Sequence, residues 1–146
     1  SSVHLLSIGY RWECCPRNWL SFDGSCYYFS IDATDWEKSK ESCESMESHL
    51  VVITSQAEQD FIGRKFTGLH WIGLSDFKFD RDWKWVDGTP YSSSQTFWDS
   101  GQPNDIDNNE TCVANHSWMS ENQIRSKWHD YNCAVSLKRI CEKKAI

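Results

Sequence analysis

Seven cysteines in a chain of 146 residues constrain its fold more than any other feature of the sequence. Short, cysteine-rich chains are typical of extracellular domains, in which disulfides stabilise loop-rich backbone. Because the number is odd, one thiol is left to stay unpaired or to bond another chain. Cys14 and Cys15 are adjacent and seldom bond each other, but spacing leaves the other pairings open. A zinc site is disfavoured because the chain has neither a C-x2-C nor an H-x3-5-H spacing, so we predict structural disulfides.

Length, charge and hydropathy narrow the class of protein further. A length of 146 residues is typical of one domain. A formal net charge of −6 makes a nucleic-acid-binding face improbable, so we expect no nucleic acid partner. The longest apolar stretches, such as residues 50–53, are too short to span a bilayer, and the chain begins with Ser1. We therefore expect an extracellular domain, with any signal peptide or membrane anchor outside these residues.

Helix-start signals and apolar periodicity predict an α+β fold with most of its helix in the first half. Residues 34–37 and 55–58 each fit a capping box, the pattern that opens a helix. Short apolar or aromatic runs predict strands at residues 27–29, 50–53, 71–74, 83–86, 112–115 and 139–142. Tryptophans in this pattern are more often buried scaffold than a ligand platform. We expect this of Trp71, Trp83, Trp85, Trp98 and Trp128.

Residues 88–110 form a long polar stretch without helix or strand signals. A loop of this length inside a compact domain usually has a function. It holds a cluster of oxygen donors: Asp99, Gln102, Asn104, Asp105, Asp107, Asn108, Asn109 and Glu110. Calcium binds several oxygens from carboxylates, amides and backbone, so the loop allows a calcium site. Composition alone leaves the simpler alternative of a solvated acidic loop open.

An ordered set of motifs resembles the C-type lectin-like domain over residues 15–142. The matching pieces are Cys15-Pro16, Trp19, Cys26-Tyr27, the helix around residues 36–43, His49-Leu50-Val51-Val52-Ile53, Trp71-Ile72-Gly73-Leu74, Trp83-Lys84-Trp85-Val86-Asp87-Gly88, Gln102-Pro103-Asn104, Cys112, Trp128-His129-Asp130, Cys133 and Cys141. Each motif alone is weak, but their order is specific. Cys14-Cys15 and residues 58–62 are most similar to the dendritic-cell and macrophage type II lectin receptors, the Mincle-like group.

The resemblance implies a fold, a disulfide pattern and a location. The fold is α+β: a C-type lectin fold with two helices packed on short antiparallel sheets and a long calcium-binding loop. The implied disulfides leave Cys14 unpaired or bonded to another chain, and they are Cys15–Cys26, Cys43–Cys141 and Cys112–Cys133. Residues 14–146 would be the lectin-like domain and residues 1–13 a stalk remnant. The domain would lie outside the plasma membrane in a type II protein, with a stalk-mediated or disulfide-linked homo-oligomer as a further expectation.

The resemblance also implies a calcium and sugar site. In the family, a tripeptide with a cis proline turns two side chains toward one calcium ion, and Gln102-Pro103-Asn104 matches it. Glu110 and Asp130 match the carboxylate ligands, and the same residues bind sugar hydroxyls. His129 departs from the pattern, because sugar-binding members have Asn there and imidazole suits zinc or copper better than calcium. We count His129 as a fifth candidate metal ligand, with the alternative that its ring packs on a neighbouring aromatic residue.

An accessory calcium site and two glycosylation sites are further candidates. Asp76, Asp80 and Asp105 match the accessory site of the family, although Asp76 and Asp80 could equally cap backbone amides in turns. N-glycosylation sequons begin at Asn109 and Asn115. A glycan on Asn109 would lie beside the candidate calcium site, so Asn115 is the better candidate.

We expect a calcium-dependent carbohydrate-recognition domain of an immune-cell receptor, because Pro103, Glu110 and Asp130 occur together. Gln-Pro-Asn is neither the Glu-Pro-Asn of mannose binders nor the Gln-Pro-Asp of galactose binders, so no monosaccharide is predicted. The alternative is a lectin-like domain with a degenerate calcium site that binds a protein ligand, which His129 and the mixed tripeptide favour. The sequence has no nucleophile elbow, P-loop or zinc-protease motif, so we expect no enzyme.

Overall fold

The computed structural model describes residues 3–8, 11–76, 82–104 and 110–146. Two helices lie within these ranges, α1 (Trp36–Ser45) and α2 (Gln56–Lys65), and neither has the length and apolar character needed to cross a bilayer. The strands are β1 (Val3–Ile8), β2 (Arg11–Pro16), β3 (Leu20–Phe22), β4 (Ser25–Phe29), β5 (His49–Leu50), β6 (Gly68–Ser75), β7 (Lys84–Trp85), β8 (Glu110–Ser120), β9 (Gln123–Asn132) and β10 (Lys138–Lys144).

Most of these strands join one mixed sheet. Its hydrogen-bonded order is β3-β4-β10-β6-β8-β9, with β5 beside β10 and β7 beside β6. β10 and β6 run parallel, and the other neighbours are antiparallel. β8 and β9 form a long hairpin whose turn residues, Glu121 and Asn122, both have positive φ. This backbone geometry matches the right-handed twist of the paired strands and keeps the hairpin in register.

Both predicted helices are present. Ser55 caps α2 by accepting from the Glu58 N–H at 3.1 Å, as the capping box predicts. The cap of α1 is Asp35, which accepts from the Lys38 N–H at 2.8 Å, so the prediction of Thr34 was wrong by one residue. Thr34 instead exchanges backbone hydrogen bonds with Leu137, which fixes it in an extended conformation outside the helix.

The strands differ from prediction where polar residues obscure the pattern. Of the predicted run 50–53, only Leu50 lies in a strand, as the second residue of β5. Residues 51–53 are buried but lie outside any strand. β8 extends well beyond the predicted 112–115, and β9 was missed. β9 lies at the edge of the sheet, and the side chains of its N-terminal half are mostly polar or charged and exposed. The strand therefore lacks the apolar run by which strands were predicted.

The N-terminal residues are paired in the structure. β1 and β2 form an antiparallel two-stranded sheet, and β2 continues through the predicted boundary between the stalk remnant (residues 1–13) and the domain (residues 14–146). Cys14 and Ile146 exchange backbone hydrogen bonds of 3.0 and 3.1 Å. These bonds join β2 to the C-terminal end of the chain, so the backbone of residues 11–13 continues a strand of the domain.

The buried side chains form two clusters on opposite faces of the central strands. Ile72 and Val113 belong to the cluster below α2, whereas Trp71 and Ala114 belong to the cluster that contains Trp36 of α1. Adjacent strand residues point to opposite faces, which separates the two clusters. The predicted burial of the strand tryptophans is confirmed: Trp71, Trp83, Trp85 and Trp128 are buried, and Trp98 is partly buried against them.

Two acids, the buried Glu58 and the half-buried Glu142, join α2 to the sheet. The Tyr27 hydroxyl donates to Glu58 Oε2 at 2.8 Å, and the Val52 N–H donates to Glu142 Oε1 at 3.1 Å. Burial, followed by repulsion from Glu58, raises the pKa of Glu142 to about 8. The shift favours the protonated form of Glu142 in the folded protein near neutral pH.

This protonation makes stability depend on pH. Between the ordinary pKa of 4.5 and the folded value of about 8, the folded state holds a proton that the unfolded state releases, so stability falls as pH rises. Burial lowers the pKa of His70 to about 4 from 6.5, which affects stability only below about pH 6.5.

We predict that, with chelator present, the melting temperature falls between about pH 6.5 and pH 8.5. In Glu142→Gln, which keeps an acceptor for Val52, it should change much less. Equal slopes in both proteins would contradict this assignment.

Candidate functional site

Trp128 holds the polar loop against β9. The Trp128 N–H donates to Phe97 O at 2.8 Å, and the Asp99 N–H donates to Trp128 O at 3.1 Å. The buried Trp128 ring lies edge-on to Trp85, Phe97 and Trp98, at centroid distances of 5.5, 5.4 and 5.6 Å. Backbone and ring contacts together fix the start of the tripeptide segment relative to β9.

The tripeptide lies against Asp130. The Gln102–Pro103 bond is cis, as the resemblance implies. The Gln102 N–H donates to Asp99 O at 2.9 Å, and the Asn104 N–H donates to Asp130 Oδ1 at 3.0 Å. Asp130 is only 1% exposed. Folding therefore brings the two amide residues of the predicted site to the buried carboxylate.

The described side chains fit a cation that prefers oxygen ligands. Gln102 Oε1 is buried and accepts no hydrogen bond within the part of the chain that the structure describes. A buried acceptor without a partner costs about 1–3 kcal/mol, which a cation would offset. Two amides and a carboxylate are the oxygen ligands that calcium prefers. The same part of the chain has no group of three or more His, Cys, Asp and Glu that could hold a metal, so the donor set here depends on the amides.

Glu110 begins β8 at the same end of the hairpin. Its backbone pairs with Asn132 on β9, two residues beyond Asp130. The Cys112–Cys133 disulfide, with a Cα–Cα distance of 5.1 Å, joins the chain on either side of this pair. The backbone of Glu110 is thus close to the strand that carries Asp130, and the role of its side chain as a ligand stays a prediction.

His129 faces away from Asp130. Its Nε2 lies 3.0 Å from Asp99 Oδ2, and because a carboxylate only accepts, Nε2 carries the proton. The imidazole is parallel to the Tyr131 ring, with centroids 6.1 Å apart. The ring lies beside an aromatic neighbour, as in the alternative, and Nε2, which donates to Asp99, is not free to bind a metal. A role of the second ring nitrogen, Nδ1, as a metal ligand stays a prediction. No local pattern in the sequence indicates this pair, because its members are 30 residues apart.

Comparison with known proteins identifies the family. A profile described as "Lectin C-type domain" matches residues 32–143. The chain belongs to this family. The human protein "C-type lectin domain family 4 member A" is 42% identical over 137 residues, which are 92% of this chain and 56% of that protein. The chain therefore spans little more than half the length of this relative.

Solved structures of the family have the same fold. The C-type lectin domain of murine dendritic cell inhibitory receptor 2, in complex with N-glycan, has a TM-score of 0.80 and 38% identity, covering 89% of this chain and 98% of that one. A calcium-independent type II antifreeze protein has a TM-score of 0.81 and 31% identity, covering 94% and 99%. The predicted C-type lectin fold is confirmed, and the family is not one of enzymes.

The three disulfides implied by the resemblance are confirmed in this C-type lectin domain. They join Cys15 to Cys26, Cys43 to Cys141 and Cys112 to Cys133. Cys14 is partly exposed and forms no disulfide with another described residue. A bond from Cys14 to a second chain stays a prediction.

The accessory calcium site lies mostly outside the described residues. Asp76 is buried at the end of β6, and its N–H donates to Thr111 O at 2.7 Å. Asp80 and Asp105 lie outside the described residues, as does the candidate glycosylation site Asn109.

Asn115 is a poor glycosylation site in this C-type lectin domain, contrary to the sequence prediction. It is fully buried in β8, where its Oδ1 accepts from Gln59 Nε2 at 2.7 Å. Ser117 of the same sequon is also buried, and its hydroxyl donates to Gly63 O at 2.8 Å. The folded chain leaves no path from the Asn115 amide to solvent for an attached glycan. Sequon spacing could not show that both polar residues face α2.

We predict that mass spectrometry of the chain secreted from mammalian cells finds Asn115 unmodified. Asn115→Ala should lower the melting temperature by several degrees, because it removes a buried acceptor worth about 1–3 kcal/mol. Gln123→Ala, at an exposed position of the same hairpin, is the control for general effects of the substitution. A glycan on Asn115 of the folded protein would contradict the burial described here.

Proposed function

We propose that this chain is a calcium-dependent carbohydrate-recognition domain of a type II membrane receptor on immune cells. The observation that carries the proposal is the tripeptide Gln102-Pro103-Asn104, whose backbone donates to the buried carboxylate of Asp130. Gln102, Asn104, Glu110 and Asp130 would hold the ion. Two of these four carry a formal negative charge, so we expect weak calcium affinity.

The same residues would bind the sugar. Bound calcium would coordinate two neighbouring hydroxyls of one sugar ring. The carboxylates accept hydrogen bonds from those hydroxyls, and the side-chain N–H groups of Gln102 and Asn104 donate to them. With amides at both ends of the tripeptide, the site has lost one charged acceptor relative to the mannose-type pattern, and the choice of monosaccharide is left to experiment.

Two comparisons support this proposal. The similar murine domain was solved with an N-glycan bound. The similar human protein is also a C-type lectin, and this chain covers 56% of its length. A membrane anchor, a stalk and an oligomer joined through Cys14 belong to the proposal.

Calcium should stabilise the fold by mass action. An ion that binds only the native state increases the free energy of unfolding as the ion concentration rises. We predict a melting temperature that rises at millimolar calcium and falls again with chelator. At a hundredfold excess over Kd the gain is about 2.7 kcal/mol. Glycan binding on an array should need calcium in the same concentration range. No shift at 10 mM calcium would contradict the proposal.

Replacing Glu110 by Gln should remove both the calcium shift and glycan binding while the melting temperature in chelator stays the same. The substitution removes one of the two proposed carboxylate ligands without changing side-chain size. Glu121→Gln, in the exposed turn at the far end of the same hairpin, is the matched control and should behave like the unmodified chain. Chelator-sensitive glycan binding by Glu110→Gln would show that the ion is held elsewhere.

The second candidate is a domain that binds a protein ligand without calcium. The pairing of His129 with Asp99 favours it, because position 129 then supplies no amide ligand. The likeness to a calcium-independent antifreeze protein indicates that related domains fold without the ion. A calcium titration without a thermal shift, together with an empty glycan array, would favour this function.

A further inference from the structure

A row of aromatic rings lies along the face of the β8–β9 hairpin that points away from α2, which we call the outer face. Ala114 and Cys112 on the same face are buried in the cluster that contains Trp36. We call the row of rings the ring strip, and it consists of Trp118, His116, His129 and Tyr131. Successive centroids are 4.9, 5.6 and 6.1 Å apart, separations comparable to the length of a pyranose unit. All four side chains are half-buried, so part of each ring faces solvent. Burial, followed by the proximity of His129, lowers the pKa of His116, which keeps this ring neutral at extracellular pH.

Two cations lie on the same face as the ring strip. Lys127 pairs directly with His116, and Arg125 pairs with Trp118, and opposite residues of an antiparallel pair share a face. Both cations are exposed, and neither forms an ion pair with an acid among the described residues. Asp99 is bonded to His129, the third ring of the strip, and not to either cation.

His129, the third ring of the strip, lies next to the segment that carries the proposed calcium site. His129 is bonded to Asp99, whose carbonyl oxygen accepts the N–H of Gln102. Lys127 lies two residues along β9 from His129, which is about 7 Å in a strand, and Arg125 lies about 13 Å away. A chain of sugars that leaves the tripeptide along β9 would therefore meet Tyr131 and His129 first. It would then reach Lys127 beside His116, and Arg125 beside Trp118.

We propose that the ring strip with Lys127 and Arg125 is a second subsite, which binds an acidic sugar residue of an extended glycan. The proposal rests on the proposed function, since the first sugar is held at the tripeptide. Aromatic rings contact the apolar faces of sugars, and ammonium and guanidinium groups bind carboxylate or sulfate. The chain as a whole carries a charge of −6, so two exposed cations that have no ion pair within the described ranges would select an anion locally although the protein is acidic.

The test uses three forms of one immobilised biantennary N-glycan, with neutral, sialic acid or sulfated ends. Their affinities for the purified chain are measured in calcium at physiological salt. We expect the acidic forms to bind about fivefold more tightly than the neutral form, which is the upper range for an exposed ion pair. Gain with only the sialylated form identifies a carboxylate ligand, and gain with only the sulfated form identifies a sulfate. Gain with neither form overturns the proposal.

Lys127→Ala should remove this gain and leave the affinity for the neutral glycan unchanged. Lys38→Ala, an exposed lysine on α1, is the matched control and should keep the gain. Trp118→Phe, which retains a ring, should keep the extended-glycan binding that Trp118→Ala loses, with melting temperatures measured to confirm folding. A gain that survives Lys127→Ala combined with Arg125→Ala would overturn the subsite while the proposed function stands. If no glycan bound in calcium, the proposed function and the subsite would both be wrong.

Discussion

The burial of Trp128 is the interaction on which the rest of the site depends. Its indole N–H donates to Gln59 Oε1 on α2 at 3.0 Å, and its ring packs among other aromatic rings. Its backbone N–H and carbonyl oxygen both form hydrogen bonds with the backbone of the polar loop. One residue thus joins helix, sheet and loop. Asp130 follows two positions later and faces the same side of β9, so packing of the apolar core also sets the position of the buried carboxylate.

Local signals predicted the parts of the fold whose causes are local. The cap of α2 depends on Ser55 and Glu58, three residues apart, and the structure has it as expected. The strand at β4 follows from a short aromatic run. The disulfides came from the resemblance, because spacing alone left many pairings open. Likewise the cis bond before Pro103 was an expectation from the family, and no feature of the tripeptide alone would have indicated it.

Distant contacts explain what could not be predicted. Asn115 was predicted to be a glycosylation site because a sequon is a pattern of three neighbouring residues. Its buried position involves Gln59, which is 56 residues away in the sequence. The orientation of His129 depends on Asp99, which only the anchored loop brings near. β9 lacked an apolar run because one half of this edge strand faces solvent. In each case the deciding partner lies on another element, so the position's own neighbours in sequence carried no information.

Alternation along β9 separates the two proposed binding surfaces. Asp130 and Trp128 face α2 and the loop, whereas His129, Tyr131 and Lys127 face the other side. A substitution at an odd-numbered position of this strand therefore changes the outer face without removing the buried carboxylate. The unusual histidine thus contributes a ring to the outer face. Under the proposed function, selection among extended glycans would then vary at the outer face while a sugar at the tripeptide would keep the same ligands.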